Sequence, residues 1–359
     1  MDMDSDPRRS DVVVIRDSDH YHARGDSVIR VENTLFKIHK FLLTHNSTVF
    51  DSMFDLPVGM DQPEGSSEEF PIVLEGDKAE DFRAVLKYLY APPVQTQIQD
   101  ITTAALPEII SVVTFAHKYA IDHWKEWGVK VLARLLDDIN LVPAEHLCAL
   151  YLHYRLVEDA PMGSRVIKRW CEIIEKENLP IIPILDAATA RQDQDALAQA
   201  YCIQIRRWEE GANMFDPGLL QEDDLGQAHV RRILSGCASL SFSWSRMRSR
   251  EPYPFQDAQC KGGWSMEKHE KVCIPYSRAQ WMAAMADAER QYPFIAQMTA
   301  RLSAFGQHLR QNTPEYSSSS PREADCLGSL IQQLNEHIPN DVHFLANHFF
   351  PKSPQVDTQ

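Results

Sequence analysis

The sequence predicts an α+β domain at the N-terminus followed by an all-α region. Three observations lead to this fold class. Short β-branched or alternating runs occur within the first 74 residues, apolar residues then recur at spacings of three and four, and no convincing strand follows Asp137. A group of strands followed by consecutive helices is typical of an α+β arrangement.

The predicted strands are short and close together in the chain. The runs that suit strands are 11–15, 27–31, 34–38 and 71–74. The first is expected to be buried and to end at the polar stretch that starts with Arg16. Glu32 and Asn33 form a two-residue connection compatible with a hairpin, in which Asn33 would tolerate a positive φ.

Helical spacing begins at His39 and dominates the remainder of the chain. Ser47 is a plausible N-cap after a break at Asn46. Residues 56–70 and 235–265 are expected to be irregular, and the tail from Pro351 disordered. The amphipathic stripes lie at 41–54, 82–90, 106–117, 124–135, 147–154, 166–174, 186–207, 281–285, 295–305 and 327–334.

The composition restricts the possible partners and the compartment. A formal net charge of −15 argues against a general affinity for nucleic-acid backbones, because such binding needs Lys and Arg to displace counterions. Residues 1–10 lack the features of a secretory signal, and no apolar run is long enough to cross a bilayer. Seven cysteines favour reduced thiols over a disulfide framework, so we expect an intracellular protein of the cytoplasm or nucleus.

One stretch of the sequence resembles a known family. Residues 36–43, FKIHKFLL, and 47–54, STVFDSMF, closely resemble the signature of BTB/POZ domains, F-x-x-H-x-x-x-L followed by S-x-x-F and a hydrophobic pair. The resemblance implies an α+β interaction domain that holds other proteins together. The residues expected to maintain its fold are Asp11, Phe36, His39, Leu43, Ser47, Phe50 and Phe54.

Two of these positions also have a direct physical interpretation. Phe36 can face the core from a strand, and His39 lies at a strand-to-helix junction where a neutral imidazole can bond backbone groups. We therefore expect His39 to be a structural residue rather than a ligand or a catalytic group.

The remainder of the chain resembles a narrower group. Trp170, residues 234–236 with Trp244, and the segment 260–273 followed by Trp281 resemble the C-terminal region of a large group of BTB proteins from mushroom-forming fungi. The predicted boundaries are a BTB/POZ-like domain at 10–124, a helical region at 125–212 and an irregular and helical C-terminal region at 213–359.

The resemblance leaves the mode of interaction open. The ten residues before Asp11 leave no room for the extra helix and strand that some dimeric BTB domains exchange, so a swapped dimer is not expected. Cullin adaptors commonly carry a hydrophobic-x-Glu motif, whereas Met60-Asp61-Gln62 has Gln where Glu is expected. The leading prediction is a non-enzymatic scaffold with protein partners, among them a second copy of the chain. The alternative is a substrate adaptor of a cullin-based ubiquitin ligase.

The sequence contains little that predicts chemistry. It has no glycine-rich phosphate loop, nucleophile elbow or His-Glu-x-x-His pair, so no catalytic residue, cofactor or small-molecule substrate is predicted. Cys260, His269 and Cys273, with Cys237 as a distant fourth, could ligate zinc in a regulator, although their spacing matches no strong finger motif. Reduced structural cysteines are the preferred interpretation.

Trp244, Arg246 and Arg248 interleave aromatic and basic side chains. In binders of single-stranded nucleic acid this pattern combines stacking with charge. The alternative is an amphipathic segment whose Trp packs inward, and the acidic net charge favours that alternative.

Overall fold

The computed structural model describes most of the chain, in two compact units. The described residues are 13–45, 47–55, 64–92, 96–211, 225–249, 265–311 and 343–350. The units are Met1–Trp170 and Cys171–Gln359. An α+β arrangement lies in the first unit and helices make up the second, so the predicted fold class is confirmed.

The first unit contains a small mixed sheet. Its strands are β1 (Ile15–Tyr21), β2 (Ser27–Val31), β3 (Thr34–Ile38) and β4 (Ile72–Leu74). Their order across the sheet is β1-β3-β2-β4, with β2 and β3 antiparallel and with β1 and β4 each parallel to its neighbour. β1 and β4 are therefore the edge strands.

The β2–β3 hairpin matches the predicted runs. Val31 pairs with Thr34 across the two-residue connection, and the positive φ of 50° falls on Glu32 rather than on Asn33. The carboxylate of Glu32 accepts a hydrogen bond from the Ala79 N–H at 2.9 Å, which ties the turn to the helix that begins there.

The prediction for the first strand was wrong. β1 begins at Ile15 and continues through the polar stretch that was expected to end it, while Val13, Val14 and Ile15 are 77%, 42% and 57% exposed. Backbone pairing with β3 places the strand here. The Ile15 N–H donates to the Asn33 carbonyl at 2.9 Å, irrespective of how apolar the side chains are.

Helices cover the sheet and complete the first unit. They are α1 (Phe41–Thr44), α2 (Thr48–Phe54), α3 (Ala79–Leu89), α4 (Leu106–Lys118), α5 (Asp122–Leu135), α6 (Ala144–Leu156) and α7 (Ala160–Lys176), of which α7 crosses the unit boundary. Ser47 caps α2 as predicted, accepting from the Phe50 N–H at 3.1 Å. α4 packs against α3 and α5, so it is the central helix of this unit.

A buried imidazole on α6 makes this unit sensitive to acid. His153 is 3% exposed, its Nδ1 lies 3.0 Å from Thr114 Oγ1, and burial lowers its pKa from 6.5 to about 4. Below pH 6.5 the unfolded chain binds a proton at this histidine that the folded chain does not bind. The unfolding free energy is therefore undiminished above that pH and decreases as the pH falls toward 4.

We expect this histidine to lower the unfolding free energy by about 1 kcal/mol when the pH falls from 7 to 5.5. The measurement is urea unfolding at both pH values for the wild type and for His153→Asn. The difference in unfolding free energy between the two pH values should be smaller by that amount in the variant. An unchanged pH dependence would show that folding does not lower the pKa of His153.

The second unit is helical throughout its described residues. Its helices are α8 (Ile182–Ala190), α9 (Gln194–Glu210), α10 (Gln227–Ser249), α11 (Met266–Lys268), a π turn (His269–Cys273), α12 (Ile274–Gln291), α13 (Met298–Gln311) and α14 (Phe344–Phe349). None of the described helices of the chain is long and apolar enough to cross a membrane.

Two predictions for this unit were wrong. The single helix expected at 186–207 is divided between α8 and α9, because Gln192 has a φ of 53° and Asp193 caps the new helix by accepting from the Ala196 N–H. Residues 235–249, expected to be irregular, belong to α10. Its buried stripe at three- and four-residue spacing consists of Val230, Ile233, Cys237, Leu240 and Trp244.

Candidate interaction surface

The predicted structural residues lie mainly in the core of the first unit. Phe36, Leu43 and Phe50 have no exposed surface and Ser47 is 3% exposed, whereas Phe54 is only half-buried. Asp11 lies outside the described residues. The core is aromatic: Phe36 meets Phe82 edge to face at 5.0 Å between ring centroids.

His39 bonds a side chain, not a backbone group as predicted. Its ring Nδ1 lies 2.9 Å from the Tyr90 hydroxyl, and its own backbone N–H donates to that hydroxyl at 3.0 Å. The imidazole is half-buried, and the rings of His20 and His22 also lie within about 6 Å of Tyr90. His39 thus fixes the end of β3 to the C-terminal end of α3, which is a positioning role.

Consecutive apolar side chains are exposed along one edge of the sheet. Val13 and Val14 directly precede β1 and Ile15 begins it; we call these three residues the β1 edge. β1 pairs with β3 alone among the described strands. Edge strands with exposed apolar side chains are ready templates for another chain, and soluble proteins generally cover or charge them.

A charged groove lies between the end of β1 and the outer face of α3. It is lined by Asp19, His20, Glu80, Arg83, Ala84, Lys87 and Glu108. Arg83 donates to Asp17 at 2.8 Å, and Lys87 donates to both carboxylate oxygens of Glu108 at 2.7 and 2.8 Å. Both cations of the groove are therefore paired with carboxylates. Asp19 and Glu80 also line the groove, so its rim is negatively charged.

Asp17 is a buried carboxylate that holds the groove residue Arg83 in place. Its side chain is 1% exposed. Burial by itself raises the pKa of this carboxyl, but hydrogen bonds from the His20 N–H, Arg83 and the Asp19 N–H outweigh it and lower the pKa. Burial also lowers the pKa of His20, so this imidazole is neutral at neutral pH. Sequence reasoning missed the groove, although residues 80, 83, 84 and 87 recur at one-face helical spacing.

The proposed zinc ligands are only partly described. His269 and Cys273 are buried in the π turn, whereas Cys260 lies outside the described residues. Within the described ranges, no three His, Cys, Asp or Glu side chains are grouped to hold a metal ion. The zinc hypothesis, which needs Cys260, stays a prediction.

Two thiols of the second unit have little nucleophilic character. Among the described cysteines, Cys148, Cys171, Cys202, Cys237 and Cys273 form no disulfide. Burial raises the pKa of Cys171 and of Cys202 to about 12, so both are protonated at neutral pH and are poor nucleophiles.

Trp244 packs inward, as the preferred interpretation predicted. It is 4% exposed, and its Nε1–H donates to Glu289 at 2.8 Å. Arg248 donates to the same carboxylate at 3.1 Å, and Arg301 lies 5.3 Å above the Trp244 ring. The indole face and one of the two basic groups are therefore engaged within the unit.

The comparisons with known proteins bear on the first unit. Residues 17–133 match the family model of the BTB/POZ domain. No curated protein and no solved structure matches the chain. The match begins within β1 and ends within α5, and it includes the other three strands, the Ser47-capped helical hairpin, α3 and α4. The chain therefore carries a BTB/POZ domain in its N-terminal part, followed by a helix-rich region.

Proposed function

We propose that this protein is a non-enzymatic scaffold that associates with other proteins, including itself, through the β1 edge of its BTB/POZ domain. Domains of this family are generally protein–protein interaction modules. The observation that carries the proposal is the exposure of three successive apolar residues, Val13, Val14 and Ile15, where an edge strand begins.

The physical argument concerns burial and backbone pairing together. Covering three aliphatic side chains removes apolar surface from water, which stabilises a complex by about 25 cal/mol for each Å² buried. A strand added beside β1 would also satisfy its outward-facing N–H and C=O groups, as in other complexes that extend a sheet. Arg16, next in the strand, donates to Glu68 at 2.7 Å, and Tyr21 bonds the same carboxylate, so the strand is held in place by its own unit.

The test is size-exclusion chromatography with light scattering at tens of micromolar. The wild type should form dimers or larger species, and Val14→Lys should be monomeric, because a lysine directly before an edge strand opposes further pairing. Val129→Lys is the matched control, since Val129 is 50% exposed on α5, away from the sheet. A wild type that stays monomeric, or a control that dissociates equally, removes the self-association proposal.

The narrower assignments are part of the proposal. We infer an intracellular protein of the cytoplasm or nucleus, supported by five described cysteines that form no disulfide. The likeness to BTB proteins of mushroom-forming fungi is supported by the aromatic positions Trp170, Trp244 and Trp281. The segment Met60-Asp61-Gln62, on which a cullin-adaptor role would depend, lies outside the described residues, and no described residue favours that role.

A further inference from the structure

A short C-terminal segment is docked on two long helices of the second unit. α14 is a six-residue helix, and its Ala346 and Phe349 are each 4% exposed against α9 and α10. We call residues 343–350 the strap and the surface that receives it the α9–α10 groove. A helix this short has no stability of its own in water, so its conformation depends on being docked.

The groove is built for a pair of adjacent aromatic rings. Tyr201 on α9 has no exposed surface, and its ring lies 5.3 Å from Phe349 and 6.2 Å from Phe350, between centroids. On the other side the Arg232 guanidinium lies 4.6 Å above the Phe350 ring. One phenylalanine is therefore buried, while the second lies between an aromatic face and a cation.

A glycine in α10 forms the floor of the Phe349 pocket. A Cβ atom added at Gly236 would overlap the Phe349 ring. Glycine disfavours the interior of a helix, and α10 nevertheless carries one directly beneath this ring. The helix surface is thus shaped to admit an aromatic ring at this position.

Polar contacts fix the direction in which the strap lies. At its start His343 Nδ1 lies 2.7 Å from Asp195 Oδ2, and near its end His348 Nδ1 lies 2.9 Å from Ser239 Oγ. The Tyr201 hydroxyl is oriented by His229 at 2.8 Å. The groove therefore specifies a sequence: a histidine, then one helical turn, then a second histidine followed by two aromatic residues.

We propose that the α9–α10 groove is a docking site for a protein partner that carries such a histidine and double-aromatic helical segment, and that the strap is its intramolecular competitor. The proposal deepens the scaffold function and rests on it, because it names the chemistry of one partner. An attached segment competes at an effective concentration on the order of millimolar, so a partner must bind more tightly than the strap or meet a chain whose strap is released.

The experiment uses the full chain and a synthetic peptide as the probe. Fluorescein-labelled peptide with the sequence of residues 343–350 is titrated with wild type and with the double variant Phe349→Ser, Phe350→Ser, and binding is followed by anisotropy. The double variant should bind the peptide roughly tenfold more tightly than the wild type, because its groove is vacated. A peptide with alanine at both phenylalanines should not bind.

A groove variant and a milder strap variant guard against misfolding. Adding Gly236→Leu to the double variant should weaken peptide binding by roughly tenfold, since the side chain occupies the Phe349 pocket. Phe350→Ser alone, at a half-buried position, should keep the fold by circular dichroism and still raise peptide affinity roughly threefold. Equal affinity for wild type and folded strap variants, or no binding up to about millimolar peptide, overturns the proposal.

This outcome is separable from that of the scaffold proposal. Val14→Lys alters the β1 edge and none of the groove residues, so it should bind the peptide as its parent does. If the chain binds the peptide as expected but does not self-associate, only the scaffold proposal fails. If it self-associates but does not bind the peptide, only the groove proposal fails.

Discussion

Replacing Phe36 with alanine should lower the unfolding free energy of the BTB/POZ domain by about 3–5 kcal/mol, the usual cost of removing a buried aromatic ring. The ring is wholly buried in β3, meets Phe82 edge to face at 5.0 Å, and has the Arg83 guanidinium 6.0 Å from its centre. The surrounding sheet and α3 are held by backbone hydrogen bonds and cannot collapse into the space, so a cavity remains.

Urea unfolding followed by circular dichroism gives the free energy, and hydrogen exchange of peptides from the β2–β3 hairpin assigns the loss to this unit. Phe41→Ala is the matched control. Phe41 is 62% exposed and its ring stacks on His45 at 4.9 Å, so its removal should cost less than about 1 kcal/mol. Similar costs at both positions would mean that Phe36 is not the centre of the core.

Replacing Gly128 with valine should cost about 2–3 kcal/mol, because it forces apart the two helices that form the middle of the domain. Gly128 lies on α5 where this helix crosses α4, and a Cβ atom there would overlap Cγ1 of Val113, which is wholly buried. Neither helix can yield easily, since α4 is also packed on α3.

The overlap predicts that the two positions are energetically coupled. In a Val113→Ala background the additional cost of Gly128→Val should fall by at least about 1 kcal/mol, as a double-mutant cycle on the same urea curves would measure. Gly163→Val is the control, because an added Cβ at Gly163 in α7 meets its nearest atom at 3.8 Å. Strict additivity of the two changes would contradict the close approach.

Local patterns predicted the hairpin and the α2 cap because both depend on neighbouring residues. The strands flanking Glu32 and Asn33 alternate partly in polarity, and the turn length fixes their register. Ser47 needs only the Phe50 N–H three residues later. Such features can be inferred from one sequence because the chain carries both partners within a few positions.

β1 could not be predicted because its determinants are remote. Its position follows from pairing with β3 and from the bond between Asp17 and Arg83, which are 66 residues apart. The apolar run before it suggested burial, yet Val13 is 77% exposed. The same applies to the α9–α10 groove, where the reason for Gly236 is Phe349, more than a hundred positions downstream.

The separation of Asp17 from Arg83 also has a consequence for how the domain is made. A carboxylate enclosed without its cation is costly, and Arg83 leaves the ribosome long after the first strand has emerged. The β2–β3 hairpin needs only local contacts and is available early, whereas the bond from Arg83 to the first strand cannot form until α3 has been synthesised. The nascent chain therefore carries a first strand that lacks this bond through much of the domain's synthesis.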